Sequence, residues 1–395
     1  MYFQRIVSLG LIAALMAFVL TAGCSYYSSD TNPQDIGVVR VDAEGETLWD
    51  QTLDSGYGDY LFRMHRLSDV VSVPEGRVFV GYNLRNRPSS DPSMHMGWIT
   101  CLGPDGEKIW DWSMESEWPA AYAPTLDGGC IVIAELGSGP RIVMIGSDGM
   151  TRWGIYASAI SFEPTAIASM NSGNYIVGGG SVLTRIDENG TVQDVKNYAG
   201  LEAFPGVGTV LPMTDGGCGV VGGPREIPRL ARLDADGEIL WNATVPYIPS
   251  KFCGVRENEV GSLDLLIEEI VNNSVVHGPD GTMHAITYGP EGAVLGEETF
   301  AIPPGCPITW ATGGGYVVAA LMHDEGDLGY FATFDSSSYV HLIKYDETGR
   351  QEWDRTVGSE PDMYHVVTIN AVGEDGYVVV GERVKERSFF DILAL

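Results

Sequence analysis

Seven glycines constrain this chain more than any other feature. Gly45, Gly106, Gly149, Gly190, Gly237, Gly292 and Gly349 each close a short turn between two alternating stretches. They recur at intervals of about 50 residues, the period of stacked supersecondary units. In the fullest copies an Asp-x-x-Gly turn is followed, four residues after the glycine, by tryptophan: Gly45 with Trp49, Gly237 with Trp241 and Gly349 with Trp353. Gly106 with Trp110 and Gly149 with Trp153 keep the glycine and tryptophan but carry Gly103 and Gly146 in place of the aspartate. Gly190 and Gly292 keep only the turn.

A second hairpin alternates with the first. Its turns read as Pro74-Glu75-Gly76, Asp127-Gly128-Gly129, Ser172-Gly173, Asp215-Gly216-Gly217, Gly313-Gly314-Gly315 and Asp375-Gly376, each leading into an apolar strand. A seventh copy is expected near Leu265 to His277, in degenerate form. Two hairpins per repeat make four strands, and seven such repeats predict an all-β chain folded as a seven-bladed β-propeller of four-stranded antiparallel blades, with eight blades as the alternative. A lone blade cannot cover its apolar faces, whereas blades stacked around an axis bury each other. The chain starts on an outer hairpin and ends after an inner one, so N- and C-terminal strands should share the last blade and close the ring. Phe389 to Leu395 competes for the same strand position.

The first residues carry an address. Arg5 precedes a nearly unbroken apolar run from Ile6 to Leu20, the pattern of a secretory signal. The ending Leu20-Thr21-Ala22-Gly23-Cys24 resembles the lipobox of prokaryotic lipoproteins, with Thr21 in the place where an aliphatic residue is usual. That resemblance implies acylation of Cys24 and cleavage before it, giving a signal peptide over 1–23, a flexible tether over 24–35 and one propeller domain over 36–395. The expected location is extracytoplasmic, lipid-anchored to the cell membrane or outer envelope of a prokaryote. Membrane contact is expected through the anchor alone.

The repeat itself resembles the quinoprotein-like (PQQ-type) propeller repeat, in which a turn precedes a tryptophan that packs between blades. The likeness spans roughly 36 to 395 and is structural in kind. In that superfamily some members are quinone-dependent dehydrogenases and others are scaffolds. The residues that clamp a quinone cofactor are not identifiable here, and no cofactor is predicted.

If strands alternate in direction, the short glycine turns lie on one face and the longer connections on the other: Asp54 to Arg66, Asn83 to Met96, Pro246 to Ser262, Met322 to Ser338 and Glu382 to Ser388. Variable loops on a rigid scaffold are where binding concentrates. Arg63, Arg66, Arg85, Arg87, Arg383, Lys385 and Arg387 all fall in loops of the first and last blades, which closure makes neighbours. They are the candidate ligand site: a basic seam for a carboxylate, a phosphate or an acidic partner segment. The bland alternative is that Glu382, Glu386, Asp59 and Asp91 neutralise them.

The remaining residues offer less chemistry. Cys101, Cys130 and Cys218 read as small apolar strand residues, while Cys253 and Cys306, placed in loops, form the candidate disulfide for an oxidising compartment. His65, His95 and His323 are loop residues and His284 and His341 strand residues, with no zinc spacing among them. Asp324, Glu325 and Asp327 lack the alternation of a calcium loop, so no metal site is predicted. A net charge of −30 argues against nucleic acid as a partner. The functional expectation is a monomeric, non-enzymatic binding or scaffold propeller for an envelope or extracellular protein or polymer. The alternative is a propeller enzyme, a quinone-dependent dehydrogenase or a polysaccharide hydrolase or lyase, since such sites assemble from distant blades.

Overall fold

The computed structural model describes residues 34–53, 68–72, 76–85, 95–115, 117–136, 139–198, 207–223, 228–247, 249–258, 260–269, 281–302, 306–311, 313–323, 338–358, 363–372 and 376–384. Among them, 28 strands form seven four-stranded antiparallel sheets. The chain opens with β1 (Gln34–Val41) and β2 (Thr47–Leu53). Blade 1 follows with β3 (Ser68–Ser72), β4 (Val78–Arg85), β5 (His95–Leu102) and β6 (Lys108–Glu115). Blade 2 has β7 (Glu117–Pro124), β8 (Cys130–Leu136), β9 (Arg141–Ile145) and β10 (Thr151–Tyr156). Blade 3 has β11 (Ala166–Ser169), β12 (Tyr175–Gly179), β13 (Val182–Ile186) and β14 (Val192–Asn197). Blade 4 has β15 (Val207–Pro212), β16 (Cys218–Gly222), β17 (Arg229–Leu233) and β18 (Ile239–Thr244).

Blade 5 has β19 (Pro249–Glu257), β20 (Leu263–Glu269), β21 (Gly281–Tyr288) and β22 (Val294–Ile302). Blade 6 has β23 (Ile308–Trp310), β24 (Tyr316–His323), β25 (Ser338–Tyr345) and β26 (Gln351–Val357). Blade 7 is composite: β27 (Met363–Ala371) and β28 (Tyr377–Val384) are completed by β1 and β2 in the order β2-β1-β28-β27. The first strands of successive blades touch all the way round, with β27 returning to β3. The ring is therefore a closed seven-bladed propeller, with its last blade shared between the two ends as expected. Phe389 to Leu395 lies outside the described residues, and β1 holds the place beside β28.

Each of the seven repeat glycines sits at positive φ, between 75° and 84°, where a side chain is strained and glycine is not. Their second role is contact. A Cβ on Gly106 would stand 2.8 Å from Trp49, on Gly149 2.8 Å from Trp110, on Gly190 2.8 Å from Trp153 and on Gly292 2.7 Å from Trp241. Each tryptophan on the outer strand of one blade thus lies flat on the turn of the next. Its indole can also donate to that turn: Trp49 to the Pro104 carbonyl at 2.7 Å, Trp110 to Ser147 at 3.0 Å and Trp153 to Glu188 at 2.8 Å. Seven apolar clusters fill the seven interfaces, and among the described residues the smallest buried set lies between blades 5 and 6, formed by Leu266, Met283, Ile302, Ile308, Tyr316 and Val318.

Two expectations change. The seventh inner hairpin lies upstream of its expected place, as β19 and β20 around Gly261 (φ 74°). The stretch Pro246 to Ser262 is accordingly a strand and its turn instead of a long loop. Cys253 is a residue of β19, and Cys306 stays in the connection between β22 and β23.

Candidate functional site: the cleft between blades 5 and 6

Strand register explains where the ring departs from its own rule. In each blade one row of paired residues runs across all four strands at the level of the docking tryptophan. In blade 1 that row is Val71, Phe79, Cys101 and Trp110; in blade 2 it is Ala123, Ile131, Met144 and Trp153. In blade 6 it is Thr309, Val317, Lys344 and Trp353. In blade 5 the same row reads Arg256, Asp264, Thr287 and Gly296. A carboxylate replaces the second-strand core residue, and glycine replaces the tryptophan.

The consequence is a cleft of about 820 Å³ on the turn face, with Arg256 and Asp264 on one wall and Trp310, Tyr316 and Glu347 on the other. A Cβ on Gly296 would meet nothing within 4 Å, so the sheet surface at this place is uncrowded. Phe300, four residues further along β22, packs on the next turn instead: its Cβ would be 3.3 Å from a Cβ on Gly349. Blade 3 shows the same displacement, with Asp194 in the tryptophan place and Tyr198 moved four residues on, its hydroxyl donating to the Gly237 carbonyl at 2.7 Å. Four residues along a strand returns to the same face, which is why the aromatic can shift without losing the neighbour.

Asp264 is 6% exposed, and burial of a carboxylate needs partners. It has three: Arg256 Nε donates to Oδ2 at 3.0 Å, Thr287 Oγ1 to Oδ1 at 2.9 Å and Asn258 Nδ2 to Oδ1 at 3.2 Å. The Arg256 guanidinium lies 4.1 Å over the Trp310 ring, a cation–π contact that fixes it along the wall. Opposite, Glu298 of β22 faces Glu347 and Asp346 of the blade 6 turn. Burial first, then those two charges, holds its carboxyl above the ordinary carboxylate range. The Tyr316 hydroxyl, on a residue only 1% exposed, has no hydrogen-bond partner, and neither does the buried Trp310 Nε1.

The basic seam fares differently. Arg383 lies on β28 instead of in a loop, is 6% exposed, donates to Thr52 Oγ1 at 2.6 Å and is ion-paired with Asp50. The pairing of β1 with both β2 and β28 brings these side chains together inside the closing blade. Arg383 is thus committed to Asp50 in the closing blade. Arg85 ends β4 opposite His95, and its side chain lies outside the described set, as do Cys24, Arg63, Arg66, Arg87, Lys385 and Arg387. Asp324, Glu325 and Asp327 are outside it too.

Cys253 and Cys306 are half-buried and pack against one and the same cluster, that of blades 5 and 6. Cys101, Cys130 and Cys218 are buried strand residues, and burial pushes the Cys101 and Cys218 thiols up to about 12 and about 11. His284 is 4% exposed, stacked on Tyr247 at 3.6 Å, with Glu269 3.2 Å from Nε2 and Glu297 3.3 Å from Nδ1. His341 contacts Asp354 at 2.8 Å. Among the described residues no three His, Cys, Asp or Glu side chains converge as a metal would require, and no helix is long and apolar enough to cross a membrane.

No family profile and no curated protein matches the chain. Solved structures similar to it include a protein of unknown function from Bacteroides caccae, 14% identical with a TM-score of 0.43, covering 68% of this chain and 94% of that one. The Neurospora crassa Pan2 WD40 domain is 9% identical with a TM-score of 0.47, covering 82% and 90%. The Dos1 propeller is 11% identical with a TM-score of 0.47, covering 87% and 81%.

Proposed function

We propose that this chain is an exported, lipid-tethered binding propeller that takes up its partner in the cleft between blades 5 and 6. The leader and the Leu20 to Cys24 ending support the export and tether. One observation carries the binding reading: at the level where the neighbouring blades hold tryptophan, blade 5 has glycine, with an aspartate–arginine pair in the same row beside an open cleft. An ion pair in that place is a poor source of stability compared with apolar packing. It does hold a guanidinium against an aromatic wall, beside a cavity, in one orientation.

Val260 stands at the lip of the cleft and is 76% exposed. A photo-crosslinking residue placed there is expected to capture one defined envelope or extracellular partner. The same residue at Leu126, 69% exposed beside a smaller cleft of about 520 Å³ that Trp153 lines between blades 2 and 3, should capture none. Equal capture at both positions would sink the binding reading. Lipidation has its own assay: palmitate labelling should be present in the wild type and lost in Cys24→Ser. Export into an oxidising compartment would also join Cys253 to Cys306, so alkylation of the denatured, unreduced protein should leave that pair unmodified.

A further inference from the structure

We infer that the cleft between blades 5 and 6 takes an alkylammonium group, and that its source is a lysine side chain of a polypeptide partner. The inference rests on the binding reading above and adds the chemistry. Its template is inside the same ring. Two other interfaces place a cation at the sixth residue after the turn glycine, reaching the acidic residue that follows the next blade's glycine. Lys196 Nζ is 2.8 Å from Glu238 Oε1, and Arg355 Nε is 3.3 Å from Glu46 Oε1. Lys196 also donates to the Asp236 carbonyl, and its Cδ would touch a Cβ on Gly237 at 3.2 Å, so the lysine stem lies along the glycine turn.

In blade 5 the sixth residue after Gly292 is Glu298. Instead of supplying a cation to the next turn it presents a second carboxylate to Glu347 and Asp346. Arg350, where blade 4 has Glu238, is exposed and acts on Asp346 of its own turn, to which its backbone N–H also donates at 3.0 Å. The interface therefore gathers Glu298, Glu347 and Asp346 where the blade 3 to blade 4 contact joins one glutamate to a lysine, and no lysine of blade 5 reaches them from that position. A second observation is independent of charge. The Tyr316 hydroxyl, on a residue lining the same cleft and 99% withdrawn from solvent, has no partner and can accept a hydrogen bond that an ammonium donates. With Gly296 in the tryptophan place, the cleft has room for a butyl stem entering from the turn face.

The test uses the mature chain and a short capped peptide carrying one lysine between glycines, titrated at physiological ionic strength. Controls are the same peptide with norleucine, and 1,5-diaminopentane. The lysine peptide is expected to bind, and Glu298→Gln should weaken it by about tenfold, the scale of one charge-assisted hydrogen bond. Gly296→Trp should abolish binding with the ring still folded, and Glu44→Gln, on an exposed turn of the closing blade, should leave it unchanged. Norleucine binding as well as lysine would overturn the inference. So would an equal loss in Glu44→Gln, which would reduce the effect to the diffuse field of an acidic protein. Diamine binding more tightly than the peptide would overturn the polypeptide source. The two readings fail differently: if Gly296→Trp blocks partner capture at Val260 but Glu298→Gln leaves it intact, the cleft is a binding site and the ammonium is wrong. If Gly296→Trp leaves capture intact, the cleft reading itself falls.

Discussion

Among the described residues two arginine–aspartate pairs bury their aspartate, and they differ in what lies beyond the arginine. In the closing blade, Arg383 and Asp50 have side chains 8% and 7% exposed, and Thr52 accepts a further guanidinium proton. In blade 5, Asp264 is equally withdrawn at 9%, but the Arg256 side chain is 34% exposed and faces an open cleft. The first pair is sealed on both sides and joins the two ends of the chain. The second is sealed only on the aspartate side, so its arginine remains available. Residue type and pairing are the same; enclosure is what separates a structural pair from one that can take part in recognition.

The largest expected effect tests the sealed pair. Asp50→Ala strands a buried guanidinium and should cost about 3–5 kcal/mol, read as a fall in the thermal or denaturant midpoint. Asp264→Ala should cost less, about 1–3 kcal/mol, because Arg256 can turn into the cleft and be hydrated. Equal losses in the two variants would mean that enclosure makes no difference to the pair. A glycine pair sharpens it further. Gly106→Ala forces a Cβ 2.8 Å from Trp49 at a φ of 82° and should destabilise by about 1–2 kcal/mol for the backbone alone. Gly296→Ala meets nothing and should stabilise by about 0.5–1 kcal/mol, as glycine removal from a strand does.

The smallest effect is on pH dependence. Burial, Glu347 and Asp346 raise the folded-state carboxyl of Glu298, which also faces Tyr316 and shares its turn neighbourhood with Arg350. A raised acid favours the protonated folded form. Its contribution to stability is therefore present below the unfolded value and lost as the pH rises through the raised one. Ammonium binding needs the carboxylate, so it should strengthen over that same rise. Titrations on either side of the ordinary glutamate range, with Glu298→Gln flattening the profile, check the sign.

Much of the architecture was legible because the repeat carries its physics locally. A glycine at positive φ and a tryptophan four residues later are needed in one turn to meet one neighbour, so both survive as a short motif. The seventh inner hairpin was missed for a related reason. β19 is bulged between Pro249 and Lys251 and again between Phe252 and Gly254, and its blade 6 face carries Arg256, so the alternation of apolar residues that marks a strand is broken. The site left a trace of its own. Asp264 interrupts the apolar run of β20, and Gly292 lacks a following tryptophan, but only the register shows that these two departures occupy one row. For Arg383 the sequence showed a loop-like charge cluster; its partner Asp50 lies at the other end of the chain, a distance no local pattern spans.

Ring closure also gives the molecule a direction. β1 runs from its first residue, Gln34, toward the Asp42 to Gly45 turn, so the chain enters blade 7 from the face opposite the turns. The cleft of blades 5 and 6 opens on the turn face, so the entry of the chain and the mouth of the cleft lie on opposite sides of the ring.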